Sequence, residues 1–297
     1  MDKKDLILVK KKQQFLGQFR AMASVCEVLV DTDDESLALQ LTQIAQTETL
    51  RIEQKFSRYR TDNIIFSINN SHAKPVELDE ETGSLIEYSQ LCYQLSDGLF
   101  DITSGVLRRA WIFDGSDNIP DQHSIDCLLP FVGWPKVIWQ KPFLILPEGM
   151  EIDVGGIGKE YAVDKVLHLL MTQTDVPLLI NFGGDLAVSG AQKNQQAWQV
   201  GIETPDKNAE TGNILEIAAG ALATSGDAKR FLLRNGKRYG HILNPKTGYP
   251  IEHAARSITV AGSNCLQAGT LSTLAMLQSE NAEKFLQEQG ALFWCLR

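Results

Sequence analysis

Four short stretches of this chain hold a polar side chain on a loop that glycine or proline makes rigid. The first is Asp153-Val154-Gly155-Gly156-Ile157-Gly158-Lys159, where three glycines separate an acid from a lysine. Beyond it, Tyr161, Ala162, Val166, Leu169 and Leu170 recur at helical spacing, so the stretch reads as strand, tight turn and helix start. Glycines at such a turn let a ligand approach the backbone, and a helix N-terminus offers unpaired N–H groups to an anion. A phosphate-bearing ligand suits that chemistry; ordinary strand-to-helix packing is the alternative left open. The familiar phosphate fingerprints do not fit, because Asp153 stands where the Walker pattern needs Gly and Glu160 where it needs Ser or Thr.

The other three add acids and one histidine, the last of them, around His241, taken together with a turn that carries Ser225 and Asp227. Gly98-Leu99-Phe100-Asp101 runs on to Gly105, and Asp101 could orient a ligand hydroxyl or cap the next turn. Phe182-Gly183-Gly184-Asp185 is a second glycine turn ending in an acid, and Ala223-Thr224-Ser225-Gly226-Asp227 reads as a third turn of small residues. Gly240-His241 opens a run to Pro250 with two prolines and two glycines, which would hold one imidazole steady. A histidine with an ordinary pKa of about 6.5 suits a general base at neutral pH, although a satisfied structural histidine fits the same residues. No Gly-x-Ser-x-Gly elbow and no zinc-ligand cluster occurs. Phosphoryl chemistry remains, with a hard cation such as Mg²⁺ held by oxygens.

Composition narrows the setting. A chain of 297 residues with 43% hydrophobic content can bury a large core, and a net charge of -9 argues against a nucleic-acid or anionic-membrane surface. Cys26, Cys92, Cys127, Cys265 and Cys295 are scattered, odd in number and without a C-x-x-C pair, which fits idle thiols in a reducing compartment. Lys3, Lys4 and Lys10 to Lys12 flank only Leu6-Ile7-Leu8-Val9, too short for a signal-peptide core or a membrane span. The expectation is a cytoplasmic protein with a basic tail over residues 1–17 and one domain over 18–297.

The elements that must carry these loops follow from periodicity and turn chemistry. Strands are expected over 25–30, 177–181, 198–202, 215–217, 257–261 and 292–296, and helices over 35–56, 79–95, 264–277 and 280–289. Asn235-Gly236 between two apolar runs predicts a two-residue hairpin, the clearest local signal in the chain. Residues 111–140, with Trp111, Trp134, Pro135 and Trp139 and little period, read as surface loops. Strands outnumber the helices and cluster apart from them, which points to α+β.

Over nearly its whole length the chain resembles the ApbE family, the FAD:protein FMN transferases. The matching runs, in order, are Ala21 to Ser24, Phe56 to Tyr59, Gly98 to Gly105, Asp153 to Asp164, Asn181 to Asp185, Ala223 to Asp227, Gly240 to Pro250 and Ala268 to Leu274. The resemblance implies a two-lobed, T-fold-like single domain with mixed or antiparallel sheets, flanking helices and FAD in a cleft between lobes. It implies Mg²⁺ on the pyrophosphate and transfer of FMN from FAD to a threonine of an acceptor flavoprotein, a redox-pump subunit or a reductase, with AMP leaving. Flavin and adenine contacts carry over to Met22, Tyr59, Leu99, Phe100, Asp101, Asp153 and Lys159, and the proposed base to His241. The metal contacts carry over to the Gly156 carbonyl and the start of the late helix, at Gly269, Ser272 and Thr273.

The chain departs from the family's pattern at Gly269, where a metal-binding carboxylate is usual, with Asp185, Thr270, Ser272 or water as possible substitutes. It also has Glu160 where Gly is usual, Ala23-Ser24 where Gly-Thr is usual, and Asn244 where Asp is frequent. Two rival readings accompany the transferase: a hydrolase that splits FAD to FMN and AMP, and a flavin-binding or delivery module without catalysis.

Overall fold

The computed structural model describes residues 5–202, 214–227 and 231–297. Its centre is an eight-stranded sheet of β1 (Ile7–Lys11), β2 (Gln14–Ala21), β3 (Ser24–Val30), β4 (Leu178–Phe182), β5 (Asp185–Val188), β6 (Gly220–Gly226), β7 (Ser257–Gly262) and β8 (Leu292–Leu296). Every neighbouring pair is antiparallel and the spatial order equals the chain order. The sheet is a meander with helices inserted between strands, which is the expected α+β class.

Four helices matter for the site: α1 (Glu35–Phe56), α2 (Glu80–Leu95), α3 (Gly158–Met171) and α4 (Cys265–Leu277). Asp34 caps α1 by accepting from the Leu37 N–H at 3.0 Å, and Ala38, Leu41, Thr42, Ala45, Thr49, Ile52 and Phe56 form its buried stripe. Glu81 ties three helices together. Its carboxylate accepts from Arg51 and Lys55 of α1 at 2.6 Å each and from the Tyr161 hydroxyl of α3 at 2.7 Å. Asp164 of α3 in turn caps α4, accepting from the Cys265 and Leu266 N–H groups at 2.8 Å each. The middle of α3 is thereby locked beside the start of α4. No helix among the described residues is long and apolar enough to cross a membrane.

A second, smaller core makes the other lobe. Val106, Leu107, Trp111, Ile125, Val132 and Leu232 are buried together, with Tyr239, Leu243 and Tyr249 packed against them. It unites the 3-10 turn Ile102–Arg109 with the hairpin Phe231–Arg234 and Lys237–Gly240, whose Asn235 and Gly236 take φ 52° and 76° as a type I′ turn requires.

Four expectations need correction. Residues 7–17 are no tail: they form β1 and half of β2, and Phe15 and Leu16 are buried. Lys10, Lys11 and Lys12 are exposed while Leu8 packs against the core; Lys3 and Lys4 lie outside the described residues. Trp111 and Trp134 are buried rather than on surface loops, because non-local contacts enclose these aperiodic turns, Trp111 in the small-lobe core and Trp134 in the main core. Residues 223–226 are strand, since Ala223 to Gly226 pair with Val260 to Ser257 of β7, while β5 pairs with residues 220–222 of the same strand. No strand precedes α3; Ile152 N–H instead donates to Asn69 Oδ1 and Asp153 N–H to the Ile102 carbonyl, each at 2.8 Å.

Candidate functional site

Between the two lobes lies a cavity of about 1340 Å³, larger than the roughly 300–1,000 Å³ of ordinary small-ligand pockets. Met22, Tyr59, Leu99, Phe100, Asp101, Asp153, Gly156, Lys159, His241 and Thr273 all line it. These residues come from six separate stretches of the chain, and the meander with its inserted helices is what brings them together.

Each wall has a local cause. Met22 and Ala23 connect β2 to β3 as a two-residue turn with φ 51° and 57°, so Met22 stands at the tip over the cavity. Tyr59 follows the end of α1 and is 78% exposed, an aromatic face held out at the rim. Phe100 is buried behind Gly156, whose missing side chain would approach the ring to 3.4 Å.

Asp101 settles its open alternative toward capping. Its Oδ1 accepts from Thr103 N–H at 2.8 Å and from Thr103 Oγ1 at 2.6 Å, and its Oδ2 from Trp134 N–H at 2.9 Å. A carboxylate has about four lone-pair sites, so one is left for a ligand.

Asp153 is held by the turn and by two cations that sequence reading left without a role. Its Oδ1 accepts from Gly155 N–H at 2.8 Å, while Arg58 Nη1 and Arg108 Nε lie 3.3 and 3.6 Å from Oδ2. The sequence signal for Arg58 was its place beside Tyr59 in the matching run Phe56 to Tyr59. Helix α3 begins without a side-chain cap at Ile157, so its N-terminus is open to an anion.

Lys159 pairs with Asp185. Burial lowers the Lys159 ammonium, but Asp185 and Glu160 outweigh it and hold the group above the ordinary lysine range. Asp185 is 1% exposed and reaches the cavity from the Gly183-Gly184 hairpin, whose φ of 63° and 103° only glycine adopts without strain. Its Oδ1 accepts from Thr224 N–H at 2.9 Å, whereas its Oδ2 takes no hydrogen bond and meets only the Lys159 ion pair. Glu160 lines the cavity as well; burial and then Asp185 raise its carboxyl well above the usual carboxylate range.

Two expected metal contacts stand behind the wall. Ser272 is fully buried and donates to the Gly269 carbonyl at 3.0 Å, with Ser225 Oγ at 2.8 Å, and neither Ser272 nor Gly269 lines the cavity. Ser225 Oγ also lies 2.9 Å from Thr273 Oγ1, which faces the cavity. Thr270 pairs with the Tyr88 hydroxyl at 2.7 Å instead.

His241 follows the small-lobe hairpin. The bridge between Leu243 and Pro250 and the Ile251 N–H donating to the Ile242 carbonyl at 3.1 Å close the loop behind it. The Phe113 ring packs edge-on, with centroids 6.4 Å apart. The rigid frame expected from its prolines and glycines is present.

The profile of the ApbE family matches residues 22–294. The chain belongs to the ApbE family. The FAD:protein FMN transferase of Escherichia coli K12 is 28% identical to it over 268 residues, 86% of this chain and 76% of that protein. The FAD:protein FMN transferase of Klebsiella pneumoniae strain 342 is 30% identical over 249 residues, 81% of this chain and 75% of that protein. Among solved structures, an ApbE protein of Thermotoga maritima is 28% identical with a TM-score of 0.86, covering 95% of this chain and 94% of that one. The apo flavinyl transferase ApbE of Pseudomonas stutzeri, at 24% identity, shares the fold with a TM-score of 0.83 over 97% and 93% of the two chains.

The donors in this ApbE-family cavity fit a hard divalent cation. Asp185 Oδ2 is buried with the Lys159 ammonium as its one contact, and the oxygen-bearing residues Glu160, Thr273 and Gly156 line the same cavity. Among the described residues no group of three or more His, Cys, Asp or Glu side chains could hold an ion. Mg²⁺ does not need one, since it is usually held by one or two carboxylates together with substrate phosphates and water.

Proposed function

We propose that this protein is an FAD:protein FMN transferase that moves FMN from FAD onto a threonine hydroxyl of an acceptor protein and releases AMP. The observation that carries this reading is the convergence of apolar faces, an open helix N-terminus, a lysine and a framed histidine on one cavity.

The roles follow from the chemistry of each wall. Met22, Tyr59 and Phe100 offer polarizable and aromatic faces to the planar rings of FAD. The uncapped start of α3 and Lys159 receive the pyrophosphate, with Asp185 keeping the ammonium charged and aimed. Arg58 and Arg108 hold Asp153 as an acceptor for ligand hydroxyl or amine groups. His241 takes the proton from the acceptor threonine as its oxygen forms a bond to the FMN phosphorus. The bond from that phosphorus to the bridging oxygen breaks, and AMP leaves with the oxygen. Asp185, Glu160, Thr273 and the Gly156 carbonyl would hold Mg²⁺, which when bound neutralises charge on the pyrophosphate.

The test is the intact mass of a threonine-bearing acceptor domain after incubation with the protein, FAD and Mg²⁺, with AMP followed in the same tube. One FMN added per AMP released is the expected outcome. AMP without acceptor modification would replace the transferase by an FAD hydrolase, and neither product would leave a binding module.

A further inference from the structure

Gly269 lies in the buried interior of α4, where a glycine costs about 1 kcal/mol of helix stability relative to alanine. The structure gives a reason for its presence. A Cβ built on Gly269 would stand 2.4 Å from Glu160 Cγ and 3.0 Å from both Glu160 Cδ and Oε1. The Glu160 carboxylate, coming from the first turn of α3, therefore occupies the volume that a side chain at position 269 would take. In this arrangement the two side chains compete for one volume, so a side chain at 269 requires Glu160 to move.

The surroundings of that carboxylate point to a cation. Glu160 and the buried Asp185 line the same cavity, and the cavity's lysine, Lys159, is paired with Asp185. Asp185 Oδ2 meets no group but that ammonium. Bringing a carboxylate into such a place is unfavourable unless positive charge arrives with it. Asp164, the next acid on α3, is already spent on the α4 N–H groups, and Thr270 on Tyr88, so neither substitutes.

We propose that Glu160 supplies the carboxylate of the divalent-cation site from α3, in the volume left open by Gly269 on α4. The inference rests on the transferase reading for the presence of a cation, and it makes the paired departures at 160 and 269 one relocation of a ligand rather than the loss of one.

The experiment is Mn²⁺ binding to the full chain, with and without FAD, read from the electron paramagnetic resonance signal of free Mn²⁺. Glu160→Gln keeps the shape and removes the charge. It should weaken Mn²⁺ by at least about tenfold, because even partners outside the first coordination shell are worth about 10- to 100-fold in metal affinity. The exchange Glu160→Gly with Gly269→Asp should restore most of the parent affinity, since it returns a carboxylate to the same volume from the other helix. Glu160→Gln with the parent's affinity and an intact melting transition overturns the assignment. Acceptor flavinylation by the parent is followed in parallel. A parent that flavinylates but whose Mn²⁺ affinity ignores Glu160 refutes the relocated ligand alone; one that binds Mn²⁺ through Glu160 and never flavinylates supports the ligand and refutes the transferase.

Discussion

Gly269→Ala, made in the parent and again in a Glu160→Ala background, asks whether the two positions share one volume. In the parent the new Cβ meets Glu160 Cγ at 2.4 Å, well inside contact distance, and the glutamate must move. Overpacking of this kind costs about 1–3 kcal/mol. Replacing a glycine inside a helix by alanine returns about 1 kcal/mol. The net change in the parent is therefore zero to about 2 kcal/mol of destabilisation. Without the Glu160 side chain only the helix gain remains, and the same substitution should stabilise by about 1 kcal/mol. The coupling is then about 1–3 kcal/mol, the upper part of the range for residues in contact. Urea denaturation with EDTA present reads all four proteins without a metal contribution. An effect of Gly269→Ala that agrees between the two backgrounds to within about 0.5 kcal/mol refutes the shared volume and removes the steric ground for the relocated ligand.

Three further outcomes are expected. His241→Ala should keep FAD affinity and slow flavin transfer by about 10²- to 10⁴-fold, and a variant as fast as the parent takes His241 out of the mechanism. Ala23→Gly should raise stability by roughly 0.5–1 kcal/mol in thermal melts, because Ala23 sits at φ 57°, where a side chain costs about 1–2 kcal/mol, partly offset by the looser unfolded chain of a glycine; an unchanged or lower melting point contradicts the strain. Burial raises the Glu81 carboxyl, but Arg51, Lys55 and Tyr161 overcome it and hold the group at about 2 against an ordinary 4.5. A depressed carboxyl stabilises the fold above its unfolded pKa and ceases to as pH falls through the folded one. The stability gap between the parent and Glu81→Gln should thus be full at neutral pH and close between pH 4.5 and 2. A gap independent of pH would mean that the ion pairs contribute nothing.

The sequence by itself determined whatever is written in near neighbours. Helix α1 has the limits its apolar period sets, Asp34 caps it, the Asn235-Gly236 hairpin forms, and β8 spans residues 292–296 as expected. The rigid loops that hold Asp153, Lys159, Asp185 and His241 were legible because turns impose glycine and proline locally. The ordered motifs identified the family for the same reason.

Tertiary structure alone decided the rest. Residues 223–226 became strand because distant β7 pairs along them, and Trp111 became a core residue because the hairpin at 231–240 and the loop carrying Gly248 and Tyr249 close over it; no local period records either event. The relation of Glu160 to Gly269 belongs to this class. In the sequence they are two separate departures, a charge gained on one helix and a charge lost on another. Only when Asp164 clamps α3 to α4 do they share a volume, because steric exclusion acts between atoms in space whatever their distance along the chain.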